Sequence, residues 1–150
     1  TDAHDDGDKL KPQWRWLPAL ENDFAARMDW CAASDFSGVN HPPIVIIDIP
    51  ENLTVRTGKS IMLNAEKSRD PDGDDLYYSW WMYRDAGSYS GNLRILNSDK
   101  PEARLKIPKV DKTETIHIIL NVTDKGTPPL TRYGRIVITA LPPTDKRQSG

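Results

Sequence analysis

The stretch from Ser68 to Trp81, SRDPDGDDLYYSWW, places an acidic turn directly in front of an aromatic strand. Asp70-Pro71-Asp72-Gly73 is turn chemistry: proline fixes φ, aspartate side chains bond nearby backbone, and glycine accepts a positive φ. Behind the turn, Leu76, Tyr78 and Trp80 alternate with Tyr77, Ser79 and Trp81, so the strand carries two distinguishable aromatic faces. One face can fill a core, with Trp80 in register with Leu76 and Tyr78, while the other is offered to something else. Such a pattern predicts two packed β-layers and says little about catalysis.

The same period of two recurs along the chain after residue 40. Ile61, Leu63 and Ala65 share one face, as do Ile116, Ile118, Leu120 and Val122, and then Ile136, Ile138 and Ala140. Strands are predicted at roughly 43–49, 53–56, 59–65, 76–83, 92–97 and 102–107, with a longer pair at 115–123 and 131–140. Joined by turns without intervening helices, they predict an all-β, immunoglobulin-like sandwich of two antiparallel sheets and about seven strands, spanning residues 41–141. Ahead of it, Leu20, Phe24, Met28 and Cys31 recur at helical spacing, with Glu21, Asn22 and Asp23 in the first turn after Pro18. This reads as one short amphipathic helix within a connector at 14–40 that seeks a surface to cover. Gly38, Asn40, His41, Pro42 and Pro43 end it. Residues 1–13 are expected as a disordered leader and 142–150 as a polar tail.

A net charge of -2 over 150 residues gives no electrostatic footprint for nucleic acid, and no basic helix suggests an anionic membrane. The longest strongly apolar run, Ile44 to Ile47, is far short of a membrane span. The lone Cys31 forbids an intramolecular disulfide and is expected as a free buried thiol. A monomer is expected.

Four segments, WRWLPALENDFAARMDWC, NHPP, SRDPDGDDLYYSWWMYRDAGSY and HIILNVTDKGTPPLTRYGRIVIT, resemble in sequence and order the C-terminal region of a bacterial cellulose-binding family. Members of that family pair an N-terminal nucleoside-hydrolase-like domain with a C-terminal β-sandwich. More loosely, DPDGDDLYYSW resembles polycystic-kidney-disease-type repeats and VTDKGTPPL a cadherin-type strand and turn. The resemblance implies a secreted, periplasmic or cell-surface bacterial protein whose hydrolase-like chemistry belongs to an upstream domain. The helix would then be the tail of that domain or the connector from it.

Two constellations carry candidate chemistry. Asp70, Asp72 and Asp74 have the alternating spacing that opens many calcium loops, and Asp124, from a loop at the same end of such a sandwich, supplies a fourth carboxylate. The remainder of an EF-hand is missing, since Asp75 and Trp81 occupy the slots that need glycine and a bidentate glutamate. A self-capped turn without an ion is the competing account. The second constellation is aromatic: Tyr77, Trp81 and Tyr83 on the outward strand face, joined by Tyr89, offer rings to sugar C–H groups. The competing account has this face covered by the helix around Phe24, Met28 and Trp30.

His41 and His117 have no serine, cysteine or carboxylate at a spacing that marks a triad or metal motif. Asn52-Leu53-Thr54 and Asn121-Val122-Thr123 match a glycosylation pattern that a bacterial origin makes coincidental. A self-contained enzyme therefore finds no supporting motif. Two readings remain: a polysaccharide-binding accessory module, and a structural module, with calcium as a candidate cofactor, that supports an upstream domain of the same protein.

Overall fold

The computed structural model describes residues 7–144. One helix, α1 (Lys11–Ala32), precedes seven strands: β1 (Asn52–Arg56), β2 (Ser60–Asn64), β3 (Leu76–Met82), β4 (Ile95–Leu96), β5 (Glu102–Lys106), β6 (Glu114–Asp124) and β7 (Thr131–Leu141). They form a four-stranded sheet in the order β1-β7-β6-β3 and a three-stranded sheet in the order β2-β5-β4. This is the immunoglobulin-like sandwich, with one departure from an all-antiparallel plan: β1 runs parallel to β7, Asn52 opposite Val137 through Arg56 opposite Leu141. The expected leader at 1–13 falls in part outside the described residues, as does the tail beyond 144, and the helix starts well ahead of Pro18.

Between the sheets, Leu63, Leu105, Ile116, Ile118, Leu120, Ile136 and Ile138 are all fully buried, as their alternation requires. Trp80 joins them at 3% exposure, with its backbone N–H given to Ser98 and its indole N–H to Lys100 O at 3.0 Å. That pairing satisfies the polar edge of a buried tryptophan. Gly73 has φ +84°, the conformation the Asp70–Gly73 turn needs.

The segment 43–49 is extended and apolar but is no strand. It makes one isolated bridge, Ile44 with Arg69, and otherwise leans on Ser68 Oγ and Asn64 O for its N–H groups. Val45, Ile47 and Ile49 pack against the core all the same. The alternation is thus a burial pattern, and hydrogen-bonded pairing is a separate matter that sequence period does not decide.

The helix packs on the outer face of the four-stranded sheet through a row the apolar stripe does not contain. Trp16 and Asp23 meet the sheet, Ala26 on the same side is buried, and Trp30 bonds the connector at Asn40 O. Leu20, Phe24 and Met28, which the spacing assigns to the packed side, are instead 64%, 63% and 50% exposed. Cys31 is likewise exposed, not buried. Among the described residues no helix is long and apolar enough to cross a membrane.

Candidate functional site

The outer face of β3 lies at the edge of the four-stranded sheet, and the first turns of α1 cross it. Trp16 sits 6.0 Å from Trp81 between ring centroids, 6.5 Å from Tyr83 and 4.8 Å, edge-on, from Tyr133 of β7. Trp81 and Tyr83 are themselves 5.6 Å apart, and the Arg15 guanidinium lies 4.7 Å above the Trp81 ring. The Trp81 indole donates to Asn121 Oδ1 at 3.0 Å, which fixes its plane. Trp81 and Tyr83 are therefore half-buried under α1, whereas Tyr77, on the same strand face, is 60% exposed with Lys125 Nζ 5.1 Å from its ring.

Tyr89 stands apart from this row. It packs against the core, and its hydroxyl donates to Asn92 O at 3.2 Å. The rings that α1 contributes, Trp16 and the exposed Trp14, are absent from the aromatic set read from the strand, although the WRW spelling placed two large rings on a short stretch of helix. Tyr133 is the other missed member; burial raises its hydroxyl pKa.

At the opposite end of α1 three loops converge. Asp124, the last residue of β6, is 1% exposed. Its Oδ1 accepts from Gly126 N at 2.9 Å, Leu130 N at 3.0 Å and Asn40 Nδ2 at 3.2 Å. Asn40 Nδ2 also donates to Pro128 O at 2.8 Å, and a methyl group at Gly126 would overlap the Asn40 amide in this position and displace it. Asp70 Oδ1 accepts from Asp72 N at 2.8 Å and Asp74 N at 3.3 Å, the self-capped turn. Burial pushes the Asp70 carboxyl above its ordinary range, against those two N–H bonds, and the charges of Asp124 and Asp72 push the same way.

Asp72 faces elsewhere. It takes the His41 backbone N–H at 2.6 Å and His41 Nδ1 at 3.0 Å, and the imidazole is stacked on Phe36 and parallel to Trp30. Trp30 donates its indole N–H to Asn40 O at 2.7 Å, so the end of α1, the connector and both loops form one hub. A cleft of about 790 Å³ opens beside it, walled by Asp29, Phe36, Asn40, Asp72 and Asp74. Among the described residues no three His, Cys, Asp or Glu side chains gather as a metal cluster. Asn40, which sequence spacing did not single out, is the residue that joins Asp124 to the connector; an isolated Asn in a breaker run carries no signal of that kind.

A family model described as the C-terminal domain of cellulose-binding protein Sde0182 matches residues 60–140. Among solved structures, a nucleoside hydrolase-related protein from Saccharophagus degradans, described as associated with carbohydrate metabolism, is 40% identical, with a TM-score of 0.83 over 91% of this chain. The match spans only 34% of that protein's own length. The PKD domain of the KIAA 1837 protein aligns at 18% identity and a TM-score of 0.49, over 71% of this chain and 92% of its own. No curated protein matches the sequence.

Proposed function

The chain belongs to the family of the C-terminal domain of cellulose-binding protein Sde0182, and on that premise we propose that it is a non-catalytic accessory module of an exported bacterial protein, binding plant-type polysaccharide such as cellulose or a related glucan. The observation that carries the reading is the aromatic concentration on the outer face of β3, where Tyr77 is exposed and Trp81 and Tyr83 are half-buried beside Trp16. Such rings offer apolar faces to sugar C–H groups and polar tips to hydroxyls. Because α1 crosses the row, the accessible part is Tyr77 with the portions of Trp81 and Tyr83 that their half-burial leaves to solvent, while Tyr89 packs against the core. Few stacking contacts predict weak single-site binding, in the micromolar to millimolar range of roughly 4 to 8 kcal/mol, strengthened by multivalency on an insoluble surface. The test is retention on insoluble β-glucans: wild type is held, and Tyr77→Ala and Tyr83→Ala release it with the fold intact. Failure of wild type to bind any β-glucan overturns the reading.

One observation favours a second role, support of an upstream hydrolase-like domain. The outward stripe of Leu20, Phe24 and Met28 on α1 is apolar and uncovered, and the S. degradans relative is about three times as long as the segment matched here. A protein carrying both domains is expected to melt above the isolated module; equal melting temperatures would remove this role.

A further inference from the structure

We infer that the hub at the end of α1 is a site for a hard divalent cation of the calcium class, liganded by Asn40 Oδ1, Asp70 Oδ2 and Asp124 Oδ2, and that the ion clamps the connector to the sandwich. These three oxygens are each buried and each lack a hydrogen-bond partner. One orphaned acceptor costs about 1–3 kcal/mol, and folded proteins keep few of them. Here three come from segments far apart in sequence, around residues 40, 70 and 124, which the Asn40–Asp124 and His41–Asp72 hydrogen bonds tie together. The Asn40 amide lies against Asp124 at 3.2 Å, and Asp70 and Asp124 are close enough for their charges to repel.

Asp70 Oδ1 and Asp124 Oδ1 are saturated by backbone N–H groups, which orients both carboxylates and leaves the second oxygen of each without a donor. Among the described residues neither carboxylate has a cationic side chain: Lys125 is held by Asp75 at 2.8 Å, and His41 by Asp72. Water would satisfy the acceptors but leave two carboxylates, each with one oxygen out of solvent, repelling one another. A cation answers both needs. An all-oxygen donor set with carboxylate and amide members suits calcium, and lacks the nitrogen or sulfur that zinc favours. Asp72, whose oxygens are committed to His41, is thereby outside the set that the alternating spacing suggested.

The consequence is mechanical. Asn40 is tied through its own carbonyl to the Trp30 indole at 2.7 Å, so an ion on Asn40 Oδ1 links α1 to the β6–β7 loop and to the Asp70 turn. This inference stands apart from polysaccharide binding, and its test needs no sugar. The whole chain is melted in chelator and in millimolar calcium, and titrated with terbium, whose emission Trp30 should sensitise. Wild type is expected to gain roughly 5 °C or more at about a hundredfold excess over Kd, by mass action on the native state. Asp70→Asn keeps the Oδ1 acceptor for the Asp72 and Asp74 amides, so it should hold its fold in chelator while losing both the calcium shift and the terbium signal. Identical wild-type melting curves together with no sensitised emission overturn the inference, and so does an Asp70→Asn variant that responds like wild type, which would put the ion elsewhere. Should the variant fail to fold, displacement of terbium from wild type by calcium decides alone.

Discussion

At Trp80 and Trp81 one peptide unit separates a core residue from one on the outer face of the sheet. Trp80 is 3% exposed and bonded to Lys100 O, while Trp81 faces α1. Trp80→Ala is therefore expected to cost about 3–5 kcal/mol, the range for truncating a buried large aromatic, and Trp81→Ala clearly less. Urea denaturation of the two variants checks this; the reverse order would mean the strand is flipped by one residue. His117 is a second sharply defined residue. Its Nδ1 is buried without a partner, and burial, aided by the Arg135 charge, holds its pKa below the ordinary 6.5. The folded chain thus prefers the neutral ring. Stability from this source is complete above the unfolded value and is lost as pH falls through the lower folded one. His117→Gln should flatten the pH dependence of the melting temperature in that window, and an unchanged slope would assign it to other groups.

At the scale of elements, α1 is held to the sheet by a mixed seat and not by an apolar stripe. Asp23 accepts from Arg132 at 3.0 Å and from Arg27 at 2.8 Å, Trp16 packs on three rings, and Asn22 donates to Pro129 O. The Asp23–Arg132 pair is partly exposed, so it contributes at most about 1 kcal/mol, whereas the Trp16 contacts are the larger share. Trp16→Ala should raise hydrogen exchange across 11–32 while leaving β6 and β7 protected, and Arg132→Ala should do so more weakly. Equal protection in both variants would show the helix to be held by the hub at its other end. Arg27 foremost, then Arg132, keeps Asp23 below the usual carboxylate range, so its share of the seat is present at neutral pH and fades as acid titrates it. The strand faces were legible in the sequence because a two-residue period leaves only two choices and Trp80 or Ile118 must take the inner one. The helix face was not legible. The strongest apolar repeat there, Leu20 to Met28, competes with a row of Trp, Asp and Ala whose partners lie a hundred residues away. The hub was legible only in part for a like reason: Asp70 and Asp124 can be paired from spacing and topology, but Asn40 joins them only when its amide is seen beside Asp124.

For the whole molecule, the sandwich closes its own core and leaves a run of exposed apolar side chains on the added helix. Leu20, Phe24 and Met28 are each at least half exposed and share one side of α1, while Trp14 is 61% exposed near its start. A soluble domain rarely leaves such a stripe bare unless another surface covers it. If the stripe serves a neighbouring domain of the same protein, it should be dispensable for the module and costly for the assembly. Replacing all three residues by serine is then expected to change the stability of this chain by no more than about 0.5 kcal/mol per site, the usual range for exposed positions. In a protein that includes the upstream domain, the same replacements should abolish the added thermal stability and loosen the linker to proteolysis. Large destabilisation of the isolated chain would instead mean that Phe24 and Met28 pack inward and that the Trp16–Asp23–Trp30 seat is not the one that forms.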